Sequence, residues 1–248
     1  MARKAKVLAT GEIYHVINRG VERRDIFTRD SDYYRFIHNL YEFNDEDAAV
    51  RDYRYILTGS DPDKIDMAAG VGMYKERKKH KAKKRKLLVE ILAFCLMPNH
   101  FHLLLRQLKD GGIPSFIKKV GGGYAVYFNK KYKRVGPLFQ GRYKAVDIKS
   151  DEQLNTVFSY IHTNPIELVE RGWKEMGVSN ISNANKALDS WKWSSYRDYT
   201  GTKNFPSVTS RDLFSELFGG AAGCKGAVTD WVEHKASMYE DWKDIALD

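Results

Sequence analysis

The chain has 248 residues, 43% of them hydrophobic, which is material for one packed domain with an appendage or two small domains, and 41 basic against 32 acidic side chains give it a net charge of +9. Its two cysteines, Cys95 and Cys224, form no Cys-x-x-Cys pair, which excludes a disulfide framework and suits a reducing cytoplasm. No stretch approaches the roughly 20 apolar residues of a membrane span, and the N-terminus lacks the apolar core of a signal peptide, so a soluble, cytoplasmic protein without a membrane partner is expected.

Residues 12–18 (Glu-Ile-Tyr-His-Val-Ile-Asn) alternate in polarity and are rich in β-branched and aromatic side chains, which predicts a strand ending at Arg19-Gly20. His15 on that strand reads as a partly buried histidine three times more readily than as a ligand. From Ser31 the spacing of Tyr34, Ile37, Leu40 and Tyr41 predicts a helix that fades near Asn44, with Asp30 or Ser31 able to cap it. Residues 45–86 read as an insertion: an ambiguous short element at 53–57, a turn at 59–63, a small-residue stretch at 68–72 and a basic run. That run, residues 75–86, holds nine basic residues and one acid, so it carries +8 of the net +9. Such a run is a solvated loop or, through counterion release, an attractor of polyanions, nucleic acid first among them.

Residues 87–97 are apolar except for Glu90 and predict a buried strand; Pro98-Asn99 is a turn, and a second strand continues through Leu103, Leu104 and Leu105. On this hairpin His100 and His102 are two apart and therefore share a face, while Phe101 points to the other. Two neutral imidazoles on one face form a divalent-metal platform short of a third ligand. By itself the pattern serves equally well for two hydrogen-bonded strand histidines.

A helix is predicted to follow Gly111-Gly112-Ile113-Pro114, with Phe116, Ile117, Val120, Tyr124, Tyr127 and Phe128 at three-and-four spacing. Gly121-Gly122-Gly123 weakens it by about 1 kcal/mol per glycine against alanine, or permits a close backbone approach to a ligand. Lys118, Lys119, Lys130 and Lys131 interleave with its aromatics. That arrangement fits a phosphate-lined surface with stacking rings, and it fits equally a helix with a solvated basic face. Gly136-Pro137 ends this segment, and residues 142–148, with Arg142 and Lys144, predict another strand. Ser150 then caps a helix running through Leu154, Val157, Phe158 and Ile161 and stopping before Pro165. Tyr160 and Asn164 lie one turn apart on one face of it. A phenolate nucleophile beside an amide that reaches a metal would use both; a core tyrosine and a helix-end asparagine would explain both without chemistry. All five tryptophans lie beyond residue 170, and residues 212–218 and 231–242 read as two short helices around a Gly/Ala turn.

Pro98-Asn99-His100-Phe101-His102 followed by Tyr160-Ile161-His162-Thr163-Asn164-Pro165 resembles the single-tyrosine His-hydrophobic-His (HUH) transposases, the insertion-sequence 200/605 type that includes the REP-associated tyrosine transposases. Tyr14-His15-Val16-Ile17-Asn18-Arg19-Gly20, Phe139-Gln140-Gly141-Arg142-Tyr143-Lys144 and Trp193-Ser194-Ser195-Tyr196 extend the likeness over roughly residues 11–200. The resemblance implies an α+β, ferredoxin-like fold: an antiparallel sheet with helices packed on one face. Residues 1–200 would form the catalytic domain, with the insertion at 45–86 and a helical extension at 201–248. It implies that His100 and His102 ligate a divalent metal, Mg²⁺ or Mn²⁺, with Asn164 as third ligand and Tyr160 as nucleophile. The substrate would be single-stranded DNA, in hairpin or palindromic elements, cut and rejoined through a 5′-phosphotyrosine, with Lys118, Lys119, Lys130, Lys131, Arg142 and Lys144 toward nucleic acid. Members include monomers, and a homodimer is equally open. A domesticated nucleic-acid binder without cleavage, or a metal-dependent nuclease that uses water, stands as the alternative. His162, turned about 200° from Tyr160, is expected to be structural.

Overall fold

The computed structural model describes residues 7–46 and 85–246. The elements expected at 53–57, 59–63 and 68–72 lie outside the described residues, as does the basic run except for Arg85 and Lys86.

Strands β1 (Ile13–Arg19), β2 (Val89–Met97), β3 (His100–Gln107) and β4 (Lys144–Asp147) form one antiparallel sheet in the order β2-β3-β1-β4. Helix α1 (Asp30–Glu42) connects β1 to β2, and α2 (Gly112–Lys131) connects β3 to β4. This is the ferredoxin-like plan that the resemblance implies. The hairpin turn at Pro98-Asn99 is tied down by the chain that follows β1. Gly20 donates its N–H to the Asn99 carbonyl at 2.8 Å, and Ile26 and Phe27 both donate to the Pro98 carbonyl. A side chain on Gly20 would meet the Arg24 carbonyl oxygen at 2.2 Å, so only glycine lets the strand end lie this close to the turn.

Side chains alternate across the sheet and feed two separate cores. Tyr14, Val16, Phe94, Leu96, Phe101, Leu103 and Leu105 face α1 and α2, where Phe36, Leu40, Phe116, Val120 and Tyr124 cover them. Leu92, Cys95, Met97 and Leu104 face the opposite way, onto Leu154, Phe158 and Ile161 of α3 (Asp151–Thr163). The expected helical layer is therefore present, and a second layer covers the face that the expectation of helices on one side left open. The reason lies in β2 and β3, whose apolar residues run on without alternation, as in strands buried on both faces.

The second layer continues beyond α3. A 3-10 turn, Asn164–Leu168, leads to α4 (Trp173–Met176), α5 (Ile181–Ser190) and α6 (Tyr196–Tyr199), then α7 (Asp212–Phe218) and α8 (Ala221–Ala246). Trp173, Leu188, Phe214, Cys224 and Val228 all join the core around Phe158. Helix α8 starts ten residues earlier than the apolar spacing predicts. Its first turns are rich in Ala and Gly and look like a turn, but Cys224 and Val228 bury there against α3, which outweighs the glycine penalty. The same holds for α2, which stays helical through its three glycines because its aromatic face is buried.

Helix ends follow local chemistry. Ser150 caps α3 by accepting from the Gln153 N–H at 3.2 Å. At α1 the cap is Asp32 instead of Asp30 or Ser31: its carboxylate accepts from the Thr28 and Arg29 N–H groups, each at 3.0 Å. Residues 193–195 line the free side of β2, with Leu96 donating to the Trp193 carbonyl and Ser195 donating to the Phe94 carbonyl. No helix among the described residues is long and apolar enough to cross a membrane.

Candidate active site

The two central strands carry three histidines to the face that α3 covers. His100 and His102 of β3 have ring centroids 4.9 Å apart. His15 of β1 stacks on His102 at 5.1 Å, with its Nε2 2.9 Å from His102 Nδ1. Across the layer, the Tyr160 ring of α3 stands edge-on to both, 5.6 Å from His102 and 5.9 Å from His15. Tyr160 is half-buried, whereas His102 is only 3% and His15 only 6% exposed.

Burial first, and then the positive charge of Lys174, keeps these imidazoles neutral. His15 and His100 are each pushed down to about 4, with Arg19 also contributing at His100. His102 is held well below the usual imidazole range by burial, then by the adjoining His100 and His15 rings, whose protonation would oppose its own, and by Lys174 and Arg19. Neutral imidazoles have lone pairs to offer a metal.

The hydrogen bonds decide which nitrogen offers them. Asn99 Nδ2 donates to the Arg23 carbonyl at 3.2 Å, which fixes the amide's orientation. Its Oδ1 must then accept from His100 Nδ1, 2.6 Å away, leaving the lone pair of His100 on Nε2. His102 Nδ1 lies against His15 Nε2, and with Nδ1 as the donor of that bond the lone pair of His102 falls on Nε2, which is buried without a hydrogen-bond partner among the described residues. An orphaned imidazole nitrogen beside a second free one fits a divalent cation. No group of three or more His, Cys, Asp or Glu among the described residues is arranged to hold a metal, so a third donor drawn from the described residues is of another type.

Asn164 is that type. Its Nδ2 donates to the carbonyls of Tyr160 at 2.7 Å and Ile161 at 3.3 Å, so it does act as the helix-end residue of α3. Its Oδ1 accepts from Lys174 Nζ at 2.8 Å. Lys174 also donates to Tyr160 Oη at 3.2 Å and lies over the Tyr160 ring, 4.7 Å from its centroid.

The expected quartet of His100, His102, Tyr160 and Asn164 thus comes together on one side of the sheet. Two further members had been discounted or unseen. His15 lies diagonally from His102 across the β1–β3 pairing, where Ile17 is directly opposite His102; only the strand register reveals this. Lys174 lies on the four-residue helix α4 and has no spacing relation to any motif. Arg19, noted only as a strand end, pairs opposite His100 and is exposed beside it.

The basic residues expected to face nucleic acid divide. Lys144 of β4 pairs opposite Ile17 and so shares the face of His15 and His102. Arg142, just before it, is exposed. Lys118, Lys119, Lys130 and Lys131 belong to α2, which packs on the other face of the sheet. Lys119 donates to the Asp45 and Glu46 carbonyls. Lys131 corrects the expectation: its side chain is 5% exposed and its ammonium is paired at 2.8 Å with the fully buried Asp32, with Ser31 and Tyr127 as further partners. A buried carboxylate needs this partner, so the ammonium is withheld from phosphates.

His162 is structural as expected. It is fully buried on Phe158 and Tyr199, and its Nε2 lies 2.7 Å from Ser195 Oγ, which in turn accepts from the Phe94 N–H at 2.9 Å. This chain ties the Tyr160 helix to strand β2. Burial pushes His162 down to about 3. The neutral ring protonates near 6.5 once unfolded, so the unfolded state takes up the extra proton below that value. Stability is therefore lost as pH falls from about 6.5 toward 3, by about 2 kcal/mol at pH 5 from this residue alone. Urea denaturation at pH 7 and pH 5 should show a smaller loss for His162→Gln than for the wild-type chain.

Residues 72–164 match the family model described as "Transposase IS200 like". That segment contains His100, His102, Tyr160 and Asn164 but neither His15 nor Lys174. No curated protein matches the chain. Among solved structures, one described as "Structure of the REP associates tyrosine transposase bound to a REP hairpin" is similar at 14% identity, covering 86% of this chain and 93% of that chain with a TM-score of 0.46.

Proposed function

We propose that the chain is a member of the IS200-like transposases, the family whose model matches residues 72–164, and that it cuts and rejoins single-stranded DNA through a 5′-phosphotyrosine on Tyr160. The observation that carries the proposal is the convergence of the Tyr160 ring and the neutral pair His100 and His102 within one family-matched segment.

His100 and His102 would hold a divalent metal, Mg²⁺ or Mn²⁺, through their free Nε2 atoms, with Asn164 Oδ1 as a neutral third donor. Such an ion, when bound, polarises a phosphate oxygen and neutralises its charge. This chain's own residues do the rest. Tyr160 Oη attacks phosphorus, the bond from phosphorus to O3′ breaks, and the phenolic proton is balanced by the one gained at the departing 3′-hydroxyl. The new phosphotyrosine keeps a phosphodiester's worth of bond energy for rejoining. His15 holds the His102 ring, and α3 is fixed to the sheet through His162 and Ser195. Arg19, Arg142 and Lys144 supply positive charge for the DNA backbone near the imidazoles. Hairpin or palindromic DNA is the substrate form in keeping with the family likeness.

In the division we propose, residues 1–200 are the catalytic unit with its insertion at 45–86, and 201–248 are an extension that clips α3 in place. Phe214, Cys224 and Val228 packed around Phe158 support that role. The test is incubation of the full chain with hairpin-bearing single strands and Mn²⁺, followed by denaturing electrophoresis. A protein–DNA adduct that survives denaturation supports strand transfer. Cleavage without an adduct would instead indicate a water-using nuclease, and binding alone a domesticated binder.

A further inference from the structure

The amide of Asn164 has two ends, and the structure commits them differently. Nδ2 is used up by the helix carbonyls of Tyr160 and Ile161, which fixes the flip of the amide. Oδ1, the only end able to bind a cation, already has one: Lys174 Nζ at 2.8 Å. That same ammonium is 3.2 Å from the nucleophile oxygen and 4.7 Å above its ring. Lys174 reaches in from the end of a flexible four-carbon stem, while the helix that bears it is anchored by the buried Trp173.

We propose that Lys174 is a built-in placeholder cation: it occupies the third donor of the metal-free site and must yield Asn164 Oδ1 when the divalent metal is loaded. The inference rests on the metal reading above. Two cations sharing one amide oxygen would lie within a few ångströms of each other in a site that burial has made poor in water, and their repulsion there is large. The ammonium therefore withdraws on loading. Its contact with Tyr160 Oη is a separate hydrogen bond, so the charge released from Asn164 stays beside the nucleophile, where a DNA phosphate arrives. Lys174 is thus a positioning residue with two settings, one closing the site and one leaving it open to metal.

A purely structural lysine and a placeholder lysine make opposite predictions for metal affinity. Mn²⁺ is titrated into the full chain without DNA, and free ion is followed by electron paramagnetic resonance. Lys174→Met keeps the apolar stem, and Lys174→Gln keeps a hydrogen-bond donor without charge. Both should bind Mn²⁺ at least about tenfold more tightly than wild type, since a nearby positive charge has been removed. Lys174→Arg should return affinity toward the wild-type value. The inference is overturned if Met and Gln variants, folded by thermal melting, bind Mn²⁺ no more tightly than wild type. His102→Ala separates the two levels of the argument. If it weakens binding while the Lys174 variants leave affinity unchanged, only the placeholder role falls. If it binds as wild type does, the metal reading falls and takes the placeholder with it.

Discussion

Tyr160→Phe is expected to eliminate covalent protein–DNA product, a loss of at least about a thousandfold, while DNA binding stays at the wild-type level. The substitution removes one oxygen. Among the described residues that oxygen's hydrogen bond is to Lys174 at 3.2 Å, and the ring contacts with His15 and His102 remain available to phenylalanine. The half-buried position tolerates the change, so a folding defect is not expected. Measurement is by adduct yield on denaturing gels beside a fluorescence binding curve on the same strand. An undiminished adduct would move the nucleophile elsewhere. Tyr124 and Tyr127 are poor successors, because both sit on α2 across the sheet and burial raises each above the ordinary phenol range.

His102→Ala has the other large expected effect. It removes an enclosed imidazole whose Nε2 has no partner among the described residues, so its loss leaves little unsatisfied except His15 Nε2. Metal affinity should fall on the order of a hundredfold and cleavage should fall with it. The melting temperature should change far less than a buried aromatic deletion would ordinarily cause, because the removed ring was paying a burial cost for one orphaned nitrogen. His100→Ala should behave alike in metal binding. Cleavage by the wild-type chain that persists in EDTA would contradict both expectations.

Much of this site was legible in one dimension because its chemistry sits on short periodic segments. His100 and His102 are two apart on a strand and Tyr160 and Asn164 four apart on a helix, and both spacings survive folding unchanged. Strand and helix order likewise followed from apolar runs and from the Ser150 cap. What remained hidden depends on register and on distance along the chain. His15 meets His102 only because β1 pairs with β3 as it does, and a single-residue slip would turn it away. Lys174 is ten residues past Asn164, and its approach depends on the turn at residues 164–172 rather than on any motif. The second helical layer was undervalued for a related reason: unbroken apolar strands state that both faces are covered but not what covers them. Lys131 shows the reverse error, where a basic residue among aromatics looked like a phosphate contact and is the partner of a buried carboxylate.

The anchoring of α3 has one more consequence. The helix that bears Tyr160 is held by its own chain on two sides, through Ser195 to β2 and through the Ser159 hydroxyl to the Ala227 carbonyl of α8. Nucleophile and imidazoles therefore meet within one polypeptide. A mixture of Tyr160→Phe and His102→Ala chains should stay as inactive as either alone, and the yield of cut strand per molecule should not change on dilution.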